Sequence, residues 1–441
     1  MIRLIYNLLF PIGLLVFLPA YIVKMRRRGN YRRNFGQRLG IYNHAARARR
    51  PLHSTTWIHA VSVGEVAIAL KLAARMHQLD PAFHCVLTTT TSTGFAFAEA
   101  EAPHWMHVMY NPLDFWPVVQ RAFTMIRPWR IILVEAEVWP NLAAAARARG
   151  IPLALVNARL SDRSERRFRK FRRIIGPTFR CLDLVCAQER RDIERWEALG
   201  IPHERIKEVG SIKYDPADAQ ADPTIALEVL RRFGINPDTQ PILLAGSTHP
   251  GEEEILARTF ILLREEFPTL VLLIAPRHVE RTRELRSALE ALGLSIGLRS
   301  EAEMEALPTP DCLLLDTTGE LRNWYSVATV VFIGKSLTAR GGQNPVEPIL
   351  ADRPVVFGPN MQNFASLAHA LLAEDAAMEV RDADMLSEVT AKLLRDDQRR
   401  ARMVRNAERV LAPHRGATQR TAELLMNLKS HAKRTSATAG K

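Results

Sequence analysis

WIHAVSVGEVAIALKLAARMHQ, residues 57–78, holds the unit from which the rest of the chain is built. Trp57–Val61 is a short apolar run suited to a buried strand. Ser62-Val63-Gly64-Glu65 is a small, glycine-containing turn, and Val66–Gln78 carries apolar residues at helical spacing. Strand, turn and helix then recur. Cys85–Thr89, Arg130–Val134, Leu153–Val156 and Leu184–Ala187 read as further strands, and Asn141–Arg149 as a helix closed by Gly150. Alternation of this kind requires a parallel sheet with helices on both faces.

The pattern pauses over Tyr214–Pro223, a run rich in Asp, Pro and Ala, and restarts. Ile242–Ala245, Leu270–Ala275, Cys312–Leu315, Val330–Ile333 and Val355–Phe357 are the second set of strands. A chain of 441 residues is too long for one ordinary core. The expected class is therefore α/β, with two doubly wound Rossmann-like domains over residues 24–218 and 219–428, an N-terminal anchor over 1–23 and a flexible tail over 429–441. Ligands of such sheets bind at the carboxyl ends of the strands, which predicts an interdomain cleft.

The formal net charge is +13, and eleven Lys and Arg residues with no Asp or Glu lie in the first 64 residues. Glu65 is the first acid. A nucleic-acid binder spreads base charge over its folded domains; a basic block after an apolar segment points to an anionic membrane surface, so no nucleic acid is expected as partner. The apolar segment is Leu4–Val23, followed by Lys24, Arg26, Arg27 and Arg28. That asymmetry places the chain after residue 24 on the cytoplasmic face of the inner membrane, whether the segment spans or lies in one leaflet. Cys85, Cys181, Cys186 and Cys312 lack metal or redox spacing and read as reduced core residues.

Chemistry is expected at the strand ends. Glu65 stands at a helix opening, as a dipole-favoured first-turn carboxylate or as a general base. Glu135 follows Arg130–Val134, as a helix cap or as a second catalytic carboxylate beside Glu65. Residues 157–173 hold eight basic and two acidic residues, suited to a phosphorylated acceptor or acidic headgroups. In the second half, Ala245–Gly251, including Ser247 and Thr248, offers backbone N–H groups to a phosphate. Pro276-Arg277 supplies a phosphate ligand. Thr318-Gly319-Glu320 follows another strand. Asn344-Pro345-Val346-Glu347 reads as a capped helix start facing an anion. No Walker lysine or metal-ligand cluster is present, and His249 with Glu252–Glu254 reads as a helix start.

Together these stretches resemble the 3-deoxy-D-manno-oct-2-ulosonic acid (Kdo) transferases. The resemblance runs through the anchor, Ser62–Glu65, Glu135–Asn141, Asn157–Ser164, Gly210–Asp215, Ser247–Glu253, Pro276–His278, Thr318–Leu321, Gly341–Glu347 and Phe357–Pro359, in that order. It implies a GT-B fold and an inverting transfer of Kdo from CMP-Kdo to the lipid A precursor, lipid IVA, with no metal or other cofactor. It implies Glu65 as base, with Glu135 and Lys213 supporting the transition state. It assigns the donor to the segments matching Pro276-Arg277, Thr318–Glu320 and Asn344–Glu347. A GT-B transferase using another nucleotide sugar is the alternative. The chain departs from the family pattern at Gln343 (for His), Lys335 (for Gly), Ala136 (for Thr) and Val279 (for Pro). Lys335 either adds a phosphate contact or faces solvent.

Overall fold

The computed structural model describes residues 2–28, 34–43, 55–160, 162–215, 222–302 and 308–428. The chain divides into two compact units, Met1–Asp215 with His414–Lys441, and Pro216–Pro413.

The first unit is built on β1 Thr55–Ala60, β2 Cys85–Thr89, β3 Met106–Tyr110, β4 Pro128–Val134, β5 Leu153–Ala158, β6 Leu184–Ala187 and β7 Ile206–Glu208. They form one parallel sheet in the order β3-β2-β1-β4-β5-β6-β7. β1, β2, β5 and β6 are buried along their whole length, as a sheet covered on both faces requires. The strand order reverses between β1 and β4. The loops leaving those two strands therefore diverge to opposite faces and leave a crevice at the carboxyl edge.

The second unit carries β8 Ile242–Thr248, β9 Val271–Pro276, β10 Ile296–Leu298, β11 Cys312–Leu314, β12 Val330–Ile333, β13 Val355–Phe357 and β14 Ala377–Glu379. The order is β10-β11-β9-β8-β12-β13-β14, again parallel, with the reversal at β8 and β12. The tips of β8 and β12 approach so closely that a Cβ on Gly334 would lie 2.2 Å from the Ser247 carbonyl oxygen. Only glycine fits there.

Two expectations change. The division falls after Asp215 rather than at 219, and the second domain does not extend to 428, because the chain returns to the first unit from His414. The closing helix, Ala417–Met426, buries Ala417, Ala422 and Leu425. Asp215 fastens its start by accepting from Gly416 N (2.7 Å) and Thr418 N (2.8 Å). The fully buried Arg130 guanidinium donates to the Leu425 carbonyl near its end. The four cysteines are free, as expected, but Cys181 is only half-buried rather than a core residue.

The residues expected as an anchor fall within a helix, Ile2–Arg28. Its first turns contact the first unit: the Asn7 side chain exchanges hydrogen bonds with Asn141 (2.9 Å), and Phe10 stacks on Phe115. Leu4, Leu8, Ile12, Leu15 and Val16 are exposed. Among the described residues no helix is long and apolar enough to cross a membrane. The tail over 429–441 and most of the expected linker lie outside the described residues.

Candidate active site

The helix after β1 starts at Val63, three residues earlier than its apolar spacing suggests, because Ser62 caps it. Glu65 is consequently in its first turn and only 9% exposed. Ser62 Oγ accepts from Glu65 N (3.4 Å) and donates to Glu65 Oε1 (2.9 Å); Val61 N donates to Glu65 Oε2 (2.9 Å). This is a reciprocal capping arrangement. Burial pushes the Glu65 carboxyl up, and these hydrogen bonds oppose the shift by favouring the charged form.

Glu135 leaves β4 in a left-handed backbone conformation (φ 64). Its N–H is held by the Val156 carbonyl of β5 (2.9 Å). For a non-glycine residue that geometry is strained and persists only where the surroundings impose it. Burial, then the charge of Glu65, push the Glu135 carboxyl up to about 7, while Lys213 and Arg159 pull it back. Glu137 is also raised, by burial and then by Glu65. Burial lowers the Lys213 ammonium, Glu135 raises it and Arg159 lowers it. Glu65, Glu135, Glu137, Lys213 and Arg159 thus form one electrostatic cluster at the β1–β4 reversal. A cluster of this kind can hold a proton at neutral pH and pass it between unequal carboxylates.

Lys213 reaches the cluster because its turn is tied down on both sides. Asn157, left-handed (φ 51) and buried, accepts from Ser211 Oγ (3.2 Å) and Ile212 N (3.0 Å) through its side-chain oxygen. His414 Nδ1 accepts from Ser211 N (3.1 Å). No separate sequence signal marks Arg159 or His414: Arg159 is one of eight bases in a run, and His414 lies 203 residues from its partner.

In the second unit the anticipated donor residues divide. Ser247 and Thr248 end β8, Pro276 and Arg277 end β9, and Gln343–Glu347 follow β12, all at one carboxyl edge. Arg277 is exposed, and among the described residues no carboxylate pairs with it. Thr248 is fully buried and donates to Glu253 Oε1 (3.1 Å), so its hydroxyl is already engaged within the fold. Glu320 receives Arg299 Nε (3.0 Å) and Nη2 (3.2 Å), and Gly319 beside it is left-handed (φ 86). Asn344 Oδ1 accepts from Val346 N (3.0 Å) and its amide donates to Glu347 Oε1 (3.1 Å), but the helix that follows, Val346–Leu350, has only five residues. Its dipole is correspondingly weak. Pro345 precedes it, and Val346 is buried. Among the described residues no group of three or more His, Cys, Asp or Glu side chains is placed to hold a metal ion.

Two parallel α/β units, each with a strand-order reversal, resemble the GT-B fold of glycosyltransferases. The solved UDP-GlcNAc 2-epimerase of Neisseria meningitidis, bound to UDP-GlcNAc, shares this fold at a TM-score of 0.53 and 11% identity, over 85% of this chain and 100% of that one. A family model described as 3-deoxy-D-manno-octulosonic-acid transferase matches residues 33–216. The 3-deoxy-D-manno-octulosonic acid transferase of Haemophilus influenzae is 33% identical over 413 residues, 93% of this chain and 94% of its own. That of Bordetella pertussis is 34% identical over 388 residues, 86% and 89%. The chain belongs to the Kdo transferase family and is a glycosyltransferase.

Proposed function

We propose that the enzyme transfers Kdo from CMP-Kdo to the lipid A precursor, lipid IVA, with inversion and without a metal. The observation that carries the reading is the coupled carboxylate pair Glu65 and Glu135 beside Lys213 at the β1–β4 reversal. Glu65 keeps two hydrogen bonds that favour its anion, whereas the Glu135 carboxyl sits near 7. Glu65 is then the base and Glu135 the member that holds a proton. A glucosamine hydroxyl oxygen attacks the anomeric carbon of Kdo as its proton passes to Glu65. The bond from that carbon to the CMP phosphate oxygen breaks, and the electron pair leaves with CMP. Positive charge on the sugar is greatest midway, where the Glu65 carboxylate opposes it, with the protonated Glu135 and Lys213 beside it. Arg277 receives the phosphate, with Ser247, Pro276, Gly319, Glu320 and Asn344–Glu347 shaping the remaining donor contacts.

The exposed apolar residues of the helix Ile2–Arg28, and the basic run through Arg166, Arg167, Arg169, Lys170, Arg172 and Arg173, support attachment to an anionic inner-membrane surface from the cytoplasmic side. The test supplies lipid IVA with CMP-Kdo or with UDP-sugars and identifies products by mass. Kdo-bearing lipid is expected from CMP-Kdo alone. Transfer only from a UDP-sugar would replace this reading with the alternative donor.

A further inference from the structure

Lys335 leaves β12 at the point where the second sheet reverses its order, facing the end of β8. Its backbone is left-handed (φ 58), a conformation that costs a lysine energy and a glycine almost none.

The loop around it would ordinarily offer an anion its backbone N–H groups. Here they are occupied. The fully buried Glu252 carboxylate accepts from Lys335 N (2.7 Å), Ser336 N (2.9 Å), Leu337 N (3.0 Å) and His249 N (2.9 Å). The protein's own acid fills this nest, and with it takes the His249 N–H of the Ala245–Gly251 stretch expected to meet a phosphate. A ligand anion must therefore be held by side chains.

The side chains present suit that task. Lys335 is half-buried and lies along Gly341, with Cε 3.3 Å from the position a Cβ would take there. Among the described residues no carboxylate pairs with its ammonium. His249 and His278 meet edge to face at 5.9 Å, and the Gln343 amide lies 3.3 Å from His249 Nε2. The acids nearby are engaged: Glu252 with the loop, and Glu253 with Thr248 and Arg281. Burial, then the charge of the Lys335 ammonium, pushes the His249 imidazole down.

We propose that Lys335 is a ligand of the donor's phosphate, supplying as side-chain charge what the occupied backbone nest does not. The chemistry it selects is the phosphate dianion of a nucleoside monophosphate leaving group. The proposal rests on the CMP-donor reading above and assigns it a residue.

The test titrates CMP and the uncharged nucleoside cytidine into wild-type protein, Lys335→Met and Lys335→Gly, with melting temperatures recorded alongside. Loss of one charged contact should weaken CMP by about tenfold or more. Cytidine affinity should not change. Lys335→Gly should melt at or above the wild type, since glycine relieves the left-handed backbone, so its weaker CMP binding cannot be ascribed to unfolding. Unchanged CMP affinity in both variants, or equal losses for CMP and cytidine, would overturn the role of Lys335. Wild-type protein that ignores CMP would instead overturn the donor reading itself.

Discussion

The two sheets reverse strand order at corresponding places, β1 with β4 and β8 with β12, yet the chemistry gathered there is opposite in sign. The first unit assembles three carboxylates, Glu65, Glu135 and Glu137, steadied by Lys213 and Arg159. Among the described residues, the second presents Arg277 and Lys335 without carboxylate partners, while its buried acids, Glu252 and Glu253, serve the fold. One scaffold thus makes a crevice in both units, and under the proposed function side-chain charge decides whether it handles a proton or an anion.

The largest effect should come from the acid side. Glu65→Gln keeps the capping arrangement, because a glutamine can replace a glutamate in it, but removes the base. Turnover should fall by about 10²–10⁴-fold in steady-state transfer assays. A change of only a few fold would remove Glu65 from the reaction. Glu135→Gln should lower turnover by about tenfold or more and leave a second mark on stability. The folded Glu135 carboxyl titrates near 7, above its ordinary 4.5, so the folded state binds more protons than the unfolded one between those values. Its contribution to stability is complete below about 4.5 and is lost as pH rises through 7. The melting temperature of Glu135→Gln relative to wild type should climb from pH 4.5 to 7.5; a constant difference would deny the raised carboxyl.

On the cation side, Arg277→Ala should raise the KM for the donor by about tenfold, with a smaller change in kcat. An unaltered KM would take Arg277 out of the donor site. The smallest effect concerns Asp215, an acid two residues from Lys213 that acts on the fold alone. Asp215→Ala removes the cap of the closing helix and should cost about 1–2 kcal/mol. The corresponding drop in melting temperature is about 2–8 °C.

Among the described residues, ten of the fourteen strands are readable as apolar runs, and the four that are not, β3, β7, β10 and β14, are the edges of the two sheets. The physical reason is exposure. Central strands are buried on both faces and read as continuous apolar segments; Ile206–Glu208 and Ala377–Glu379 are partly solvated and interrupt theirs with charge. The helix Ala417–Met426 buries one face, but nothing local to it names the unit that it covers. Glu135 is visible because a polar residue directly after a buried strand is conspicuous, and Glu65 because it stands at the opening of the helix after the first strand. Nothing in the sequence shows that Glu252 and Glu253 fold back onto that loop and its neighbours, where they take the Thr248 hydroxyl and the His249 and Lys335 N–H groups. Small residues reveal where a backbone can accept an anion, and only packing shows whether one is already there.

The division of labour between the two reversals is tested most directly by titrating CMP into wild-type, Glu65→Gln and Arg277→Ala proteins under identical conditions. Glu65→Gln should bind CMP as the wild type does, and Arg277→Ala about tenfold more weakly. A Glu65→Gln protein that loses CMP, or an Arg277→Ala protein that keeps it in full, would contradict the assignment of the proton to one unit and the phosphate to the other.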